Sequence, residues 1–430
     1  MVSPVEMPPP DGRSWIGRAT ILVLIAILAG CGSSVKGSHA SAEVAAIDPA
    51  PSGTDASCPA TVLRTLANVL SRVYHEGVLS ERTASAQYMI THSAALREAV
   101  EAGNKPAAQA AVAALLATGH MTNLQVVRGG QTFINVGGSA LAPLHGTLRG
   151  ANGSTIASYM SSVWADSGFL IEASGITQGL VDVRANGRSI AGSLELPPGA
   201  LPAEGALTLG HVRYQYTSLP AETYPSGAAR IYLLIPVSST TSLCGSTSED
   251  TTVNTLARVA KLIYSGESGD SARKQVRRVQ HDTALLEAVA NRSPAATELA
   301  IKSLLNHHIV RLRVSAEGQL LSDVGGPYVL APVTARLRLH GHAIGSFVLS
   351  IQDDEGYLRL TKRLAGLKVL MYMSPGQQLV KDSLGPLPGY VPASGSYSYR
   401  DKPFRVFTVH ASEFPSGPLT IRVLVPLPYL

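Results

Sequence analysis

The nonapeptides HSAALREAV at 92–100 and HDTALLEAV at 281–289 are two versions of one sequence, 189 positions apart. Short matches recur at almost the same spacing along the chain. They pair VGG at 136–138 with VGG at 324–326, LAP at 141–143 with LAP at 330–332, and PSG at 225–227 with PSG at 415–417. Because a constant spacing over most of a chain indicates duplication, the sequence predicts two copies of one unit of about 185 residues.

Within each copy the hydrophobic pattern changes from a helical period to a strand period. In the first copy Leu63, Leu66, Val69 and Leu70 lie three and four positions apart, which is typical of an amphipathic helix. In the second copy polar and apolar residues alternate over 309–314. Further strands are expected at 320–324, 333–339, 343–351, 357–360, 368–373, 404–409 and 420–425. Helices followed by antiparallel strands predict an α+β fold class for both tandem repeats.

This order of helices, strands and glycine turns resembles the extracytoplasmic Cache domains, which are PAS-like sensor domains. In the second copy the resemblance is carried by Ile309–Val314, Gly318, Asp323–Gly326, Ile344–Ser346 and Asp353–Tyr357. In the first copy a weaker version lies at Leu124–Val127, Gly129-Gly130, Val136–Gly138 and Asp166–Phe169. The resemblance implies a small-molecule pocket on the outer face of each sheet, beneath a loop or strand flap. Family members usually signal through transmembrane helices, and no later apolar run in this sequence is long enough for one.

The first 30 residues resemble a lipoprotein signal peptide. Arg13 and Arg18 flank the start of an apolar run at 19–30, which is too short to span a bilayer of roughly 30 Å. The run ends in LAGC at 28–31, which resembles the bacterial lipobox and implies cleavage before Cys31 and a lipid on its thiol. An ordinary secretory signal and a transmembrane anchor are the alternatives. The expected location is the extracytoplasmic face of a cell membrane, with the chain held there by its lipid.

Residues 31–57 are rich in Ser, Ala, Gly and Pro, and they predict a flexible tether before the repeats at 58–240 and 244–430. With Cys31 assigned to the lipid, Cys58 and Cys244 are an even pair in an oxidising compartment. The sequence therefore predicts a disulfide that joins the starts of the two copies. Two unpaired thiols are the alternative.

The composition describes a globular protein with a weak charge. Charged residues make up 15% of the chain, hydrophobic residues make up 45%, and the net charge is +5. A charge this small for the length of the chain argues against nucleic acid as a partner.

Candidate ligand-binding residues in the first copy are Tyr159, Trp164 and Asp166. On one continuous strand, alternation would place Trp164 and Asp166 on the same face. An indole beside a carboxylate could bind an amine or an amino acid. The alternative is that Trp164 packs in the core.

Candidate ligand-binding residues in the second copy are arginines and acids. Arg311, Arg313 and Arg338 alternate along two expected strands and could bind an anion. Asp353 and Asp354 follow a strand and could act as a general acid and base, or bind a cation. A solvated sheet face and a turn that begins with Asp are the alternatives.

Histidine positions predict no metal centre and no cofactor. His340 and His342 flank a glycine at an expected hairpin turn, without further ligands at metal-binding spacing. His92 and His281 occupy matching helical positions, where each could respond to pH or hydrogen-bond to a neighbouring strand.

Enzyme motifs are missing from the sequence, which has neither G-x-S-x-G nor H-E-x-x-H, although glycoside chemistry needs only two carboxylates. The sequence therefore predicts a non-enzymatic, lipid-anchored protein that binds a small molecule. The alternative is a structural or interaction lipoprotein of the cell envelope, whose sheets dock another protein and hold no ligand.

Overall fold

The computed structural model describes residues 44–48, 57–193, 196, 199–266, 268–305, 308–373, 378–385, 390–414 and 417–429. The predicted signal peptide and Cys31 lie outside the described residues, as does most of the predicted tether. One part of that tether is a strand, because Val44–Asp48 pairs antiparallel with Glu204–Leu209. The β-branched residues Val44 and Ile47 favour extended backbone, which a composition argument based on Ser, Ala and Gly overlooks.

The first half contains six of the described helices and twelve of the described strands. Its helices are α1 (Cys58–Leu79), α2 (Glu81–His92), α3 (Ala94–Glu101), α4 (Lys105–Ala117), α5 (Asp166–Thr177) and α6 (Val237–Thr240). Its strands are β1 (Val44–Asp48), β2 (Asn123–Arg128), β3 (Gln131–Gly137), β4 (Ala140–Leu141), β5 (Leu144–Arg149), β6 (Thr155–Ser162), β7 (Trp164–Ala165), β8 (Leu180–Ala185), β9 (Arg188–Gly192), β10 (Glu204–Leu209), β11 (Val212–Tyr224) and β12 (Gly227–Pro236). A single 3₁₀ turn, Thr241–Leu243, leads into the second half.

The second half follows the same order of helices and strands. Its helices are α7 (Ser248–Gly266), α8 (Asp270–Gln280), α9 (Thr283–Ala290), α10 (Pro294–Leu305) and α11 (Asp354–Ala365). Its strands are β13 (Arg311–Ala316), β14 (Gln319–Gly325), β15 (Val329–Leu330), β16 (Val333–Leu339), β17 (His342–Ser350), β18 (Gln352–Asp353), β19 (Lys368–Met373), β20 (Gln378–Asp382), β21 (Gly395–Tyr399), β22 (Lys402–Phe414) and β23 (Gly417–Pro426).

Short polar residues begin the successive helices. The side chain of Ser80 accepts a hydrogen bond from the Thr83 N–H at the start of α2, and Ser93 does the same for α3. Asn104 caps α4 in the same way, and Asp282 caps α9. Each such cap satisfies a backbone donor that the helix itself leaves unpaired, which stabilises the helix by about 1 kcal/mol.

The strands form two smaller and two larger sheets, and every described strand pair is antiparallel. The smaller sheets have the orders β3-β2-β6-β5 and β14-β13-β17-β16. The larger sheets run β1-β10-β11-β12-β8-β9 and β18-β15-β22-β23-β19-β20, with β4 and β7 attached to the first and β21 paired with β22 in the second. Helices combined with antiparallel sheets confirm the predicted α+β class.

Equivalent contacts occur in the two halves. The Tyr74 hydroxyl accepts a hydrogen bond of 2.8 Å from the Glu222 N–H, and the Tyr264 hydroxyl accepts one of the same length from the Ser412 N–H. The matching histidines also behave alike, since a ring nitrogen of each lies within hydrogen-bonding distance of the carbonyl oxygen four residues earlier in its own chain. For His281 this oxygen belongs to Arg277, at 2.6 Å. Neither contact is the predicted bond to a neighbouring strand.

The largest apolar core includes residues from both halves. It joins Leu66 of α1, Leu256 of α7, Phe169 of α5 and Tyr357 of α11 to the apolar faces of β12 and β23. Residues 42–430 accordingly form one compact unit. The two predicted repeats therefore do not form separate globules.

Cys58 and Cys244 form a disulfide, as predicted, with Cα atoms 5.5 Å apart and a sequence separation of 186. This bond ties the start of α1 to the residues just before α7.

The predicted strand at 357–360 is wrong, since these residues lie inside α11. The side chain of Asp353 caps this helix by accepting a hydrogen bond of 2.6 Å from the Gly356 N–H. Leu358, Thr361 and Ala365 then supply a buried helical stripe. Among the residues that the structure describes, no helix is both long enough and apolar enough to cross a membrane.

Candidate functional site

The first-copy candidates Tyr159, Trp164 and Asp166 do not share one strand face. Tyr159 lies in β6 and is 4% exposed, Trp164 lies in the short strand β7, and Asp166 begins α5. The prediction based on strand alternation was therefore wrong, because β6 ends at Ser162 and the strand does not continue to Asp166.

Trp164 is half-buried and packs against the core. Its indole lies against Gly77 of α1, so closely that a Cβ at that position would come 2.5 Å from Cδ1. The ring of Phe169 meets the indole edge-on, with ring centroids 6.3 Å apart. Trp164 thus fills the space between the shared core and the core of the first small sheet, to which Tyr159 belongs.

The second-copy arginines bind an internal acid. Arg311 and Arg313 both bind Asp323, with nitrogen–oxygen distances of 2.8 and 2.7 Å, and both stack over the ring of Phe414. Burial raises the pKa of Asp323, but the hydrogen bonds and charges of the two guanidinium groups outweigh it and hold the pKa below its usual range. Arg338 donates to the Gly341 carbonyl in its own hairpin. Arg311 and Arg313 are therefore occupied within the fold.

The sequence interpretation missed Asp323 as the partner of these arginines. Arg313 and Asp323 face each other directly across the β13–β14 hairpin. The glycine turn at 317–318 alone would not have found the pair, because it places Ala316 opposite Gln319 and would bring Ser322 opposite Arg313. A register shift between Val314 and Ser315 brings Asp323 there instead.

The acids of the second copy have structural partners as well. Asp353 caps α11, and Asp354 is buried at the first position of that helix. Burial raises the pKa of Asp354, and the hydrogen bond from the Glu355 N–H and the charge of Lys381 offset this only in part. Lys381 also forms an ion pair with Glu355. The alternative of a solvated turn that begins with Asp is therefore wrong as well, because both acids begin a helix and Asp354 is buried.

One face of each larger sheet is covered by side chains of the described part of the chain. In the first half Tyr216, Tyr232 and Leu234 form an apolar cluster there. In the second half the guanidinium group of Arg422, which is 1% exposed, lies between the rings of Tyr372 and Tyr390.

A cavity of about 710 Å³ lies where the two halves meet, and we call it the junction cavity. Its first wall is the opening part of α1, its second is the opening part of α7, and its third comes from the start of β22 and the residues after β23. The lining residues are Thr61, Arg64, Thr65, Asn68, Ser248, Glu249, Thr252, Pro403, Leu427, Pro428 and Tyr429.

The junction cavity combines a hydroxyl-rich wall with an apolar one. Thr65 donates to the Thr61 carbonyl at 2.9 Å, and its hydroxyl lies 3.5 Å from that of Thr252, so the threonines join α1 to α7. The apolar side chains of Leu427 and Pro428 line the cavity as well. A small molecule with an apolar body and a polar head would match both walls.

Some charged side chains at the rim of the junction cavity form ion pairs within the fold, and Arg64 does not. Glu249 binds Arg405 at 3.1 Å, and Arg405 also holds Asp250 at 2.9 Å. Arg64 makes only a 3.4 Å hydrogen bond to Thr61 of its own helix and no ion pair among the described residues. The rim therefore presents a cation that a ligand can reach. No sequence motif marks this site, because its walls come from segments far apart along the chain.

A second, smaller groove of about 440 Å³ lies between the end of α9 and strand β17. Val289 and Ala290 line one side, Gly345 lines the other, and Arg336 and the exposed ion pair of Arg292 with Glu317 stand at its edge. We call it the α9 groove.

Metal binding has no candidate site among the residues described: nowhere do three His, Cys, Asp or Glu side chains gather closely enough to hold an ion. His340 and His342 stay at the β16–β17 turn, as expected from the sequence.

No protein-family model matches the sequence, and neither does any curated protein. Among solved structures, the ligand-binding domain of the Pseudomonas fluorescens chemoreceptor CtaA, in complex with L-serine, is similar at 10% identity and a TM-score of 0.25, over 40% of this chain and 92% of that domain. An extracellular ligand-binding receptor from Desulfohalobium retbaense is similar at 13% identity and the same TM-score, over 41% of this chain and 39% of the receptor. At this TM-score neither likeness carries an argument about function.

Proposed function

We propose that this protein is a lipid-anchored, extracytoplasmic binding protein built from two tandem Cache-like units, and that it holds a small molecule in the junction cavity. The observation that carries the proposal is the cavity itself, with its paired threonine and apolar walls and the reachable cation Arg64. The duplication is supported by matching contacts such as those of Tyr74 and Tyr264. In this proposal the protein is not an enzyme and needs no cofactor.

An envelope interaction protein without a ligand is the second candidate function. It is favoured by the covered face of each larger sheet, where Tyr232 and Arg422 lie. In that case the sheets would dock a protein partner, and the junction cavity would stay empty of any specific molecule.

Ligand binding can be measured by thermal unfolding of residues 42–430 against a panel of carboxylates, amines and amino acids. A ligand at a hundredfold excess over its Kd stabilises the folded state by about 2.7 kcal/mol, which raises the unfolding midpoint by several degrees. We expect such a rise for at least one member of the panel. A flat response to the whole panel would favour the envelope interaction protein.

The location of the bound ligand is tested by filling the junction cavity. Asn68 lines it from an exposed position on α1, so Asn68→Trp should block the cavity without disturbing the core. We expect Asn68→Trp to abolish the ligand-induced rise. The matched control is Gln109→Trp on the exposed side of α4, which should leave the rise intact. An unchanged response in Asn68→Trp would place the ligand elsewhere.

The lipid anchor is tested by Cys31→Ala in the full chain, expressed in a bacterium that processes lipoproteins. The unaltered chain should stay in the membrane fraction through a high-salt wash, because acyl chains hold by hydrophobic burial. Cys31→Ala should move to the soluble fraction under the same wash. Retention of the variant would mean that a different segment anchors the chain.

A further inference from the structure

The second half carries a basic surface that we call the basic edge. Helix α8 exposes Arg273, Lys274 and Arg277, and strand β16, against which α8 packs, exposes Arg336 and Arg338. β16 is an edge strand of its sheet. The two elements are joined by a hydrogen bond of 3.1 Å from the side chain of Gln280 to the carbonyl of Arg336. The five cations therefore lie on neighbouring elements at one border of the fold.

Most of this charge is not neutralised within the fold. Arg273 is paired with Asp270, but Lys274, Arg277 and Arg336 have no ion pair among the described residues. The matching helix of the first half, α2, has Arg82 as its one lysine or arginine. The charge is thus a property of the second half and not a general feature of the repeated unit.

The α9 groove extends the basic edge, because Arg336 lines it. Gly345 has no side chain, which leaves space at the bottom of the groove. A Cβ at this position would come 2.5 Å from the Ser315 carbonyl oxygen. Gly345 faces Leu337 across the strand pair, and in the first half Ala157 takes the same place opposite Leu148.

The corresponding space in the first half is taken by an acid. There the Glu101 carboxylate accepts a hydrogen bond of 2.9 Å from the Ala151 N–H. In the second half Ala290 lines the groove instead. The second half therefore combines unpaired cations with a recess beside them.

We propose that the basic edge and the α9 groove bind the anionic phospholipid headgroups of a bilayer, with a headgroup phosphate held at Arg336. Guanidinium groups match phosphate in charge and hydrogen-bond geometry. Cations spread over a helix and an edge strand suit a surface of many headgroups. Each lysine or arginine near such a surface contributes about a fivefold gain in affinity. A single-stranded polynucleotide fits less well, because the basic edge contains no aromatic side chain on which bases could stack. This surface is separate from the junction cavity and does not depend on a ligand there.

The experiment uses residues 42–430, which form one compact unit, so that no lipid anchor contributes. The protein is sedimented with vesicles of phosphatidylcholine alone, and with vesicles that also contain phosphatidylglycerol. We expect binding to the second kind only, and release as salt is raised, because screening weakens contacts between exposed charges.

The variant Lys274→Glu/Arg277→Glu/Arg336→Glu reverses three of the charges that have no ion pair. We expect it to weaken vesicle binding by about a hundredfold or more. The matched control is Arg149→Glu/Arg188→Glu, which reverses two exposed arginines of the first half and should bind as the unaltered protein does. If the triple variant does not fold, the neutral pair Lys274→Gln/Arg277→Gln replaces it, with an expected loss of about tenfold or more.

Three outcomes would overturn the proposal: equal binding to both kinds of vesicle, full binding by the charge-reversed variant, or an equal loss in the control. Displacement from vesicles by glycerol phosphate at low concentration would identify a free phosphate ester as the ligand instead. Tighter binding to an oligonucleotide than to vesicles would make nucleic acid the partner.

Discussion

Replacing Cys58 and Cys244 by serine should lower the free energy of unfolding by about 2–5 kcal/mol. The bond joins cysteines that are separated by 186 in sequence, and so it restricts the unfolded chain strongly. It also joins the start of α1 to the residues before α7, and these two helices pack on each other in the shared core. Urea unfolding of residues 42–430 measures the loss directly.

Reduction provides the control for the disulfide variant. A thiol reductant should lower the stability of the unaltered protein to that of Cys58→Ser/Cys244→Ser, and it should leave the variant unchanged. Since Thr61 and Ser248 lie within one helical turn of the two cysteines' positions along the chain, ligand binding in the junction cavity should weaken as well. A stability difference below about 0.5 kcal/mol, within the range of ordinary surface substitutions, would show that packing alone holds the halves together.

Asp323→Asn should lower the free energy of unfolding by roughly 2–4 kcal/mol at neutral pH. The substitution keeps the size of the side chain and removes the charge that Arg311 and Arg313 share. Arg311 is 13% exposed, so its guanidinium group would be left largely out of water without a counter-charge. The matched control is Glu317→Gln, which breaks the exposed pair with Arg292 and should cost no more than about 1 kcal/mol.

The contribution of Asp323 should depend on pH in one direction. Its pKa is lower in the folded protein than in the unfolded chain, where an aspartate titrates near pH 4. The stabilisation is therefore fully present above about pH 4, and it is lost as the pH falls through the folded pKa. Urea unfolding at neutral and at acidic pH should show the difference between Asp323→Asn and the unaltered protein shrinking in acid. A difference that does not change with pH would rule out a charged Asp323 as its cause.

Local patterns in the sequence predicted the elements that have a simple period. The alternation at 309–314 gave β13, and the spacing of Leu63, Leu66 and Val69 gave α1. The helix α11 was missed because Tyr357, Leu358, Arg359 and Leu360 also read as a short strand. In the structure Asp353 caps this segment as a helix. Such a cap forms only where the backbone has already adopted the turn that begins a helix.

The candidate site was harder to predict because it depends on tertiary packing. Arg311 and Arg313 were both recognised as candidate residues, but the acid that neutralises them lies on the next strand. The register between these two strands cannot be read from the amino-acid composition. The junction cavity brings Thr61 and Thr252 together with Leu427. Residues so far apart along the chain share no local period, so pattern analysis had no signal to detect.

The core that both halves share also has a consequence for folding. The apolar faces of α1 and α7 partly cover each other, so each half leaves part of its helix face uncovered while the other is still unfolded. Contacts between residues this distant in sequence form late and slowly, because closing the long loop between them costs entropy before any contact repays it. The chain should therefore fold as one cooperative body once both halves have been made, and either half produced alone should aggregate through its uncovered helix.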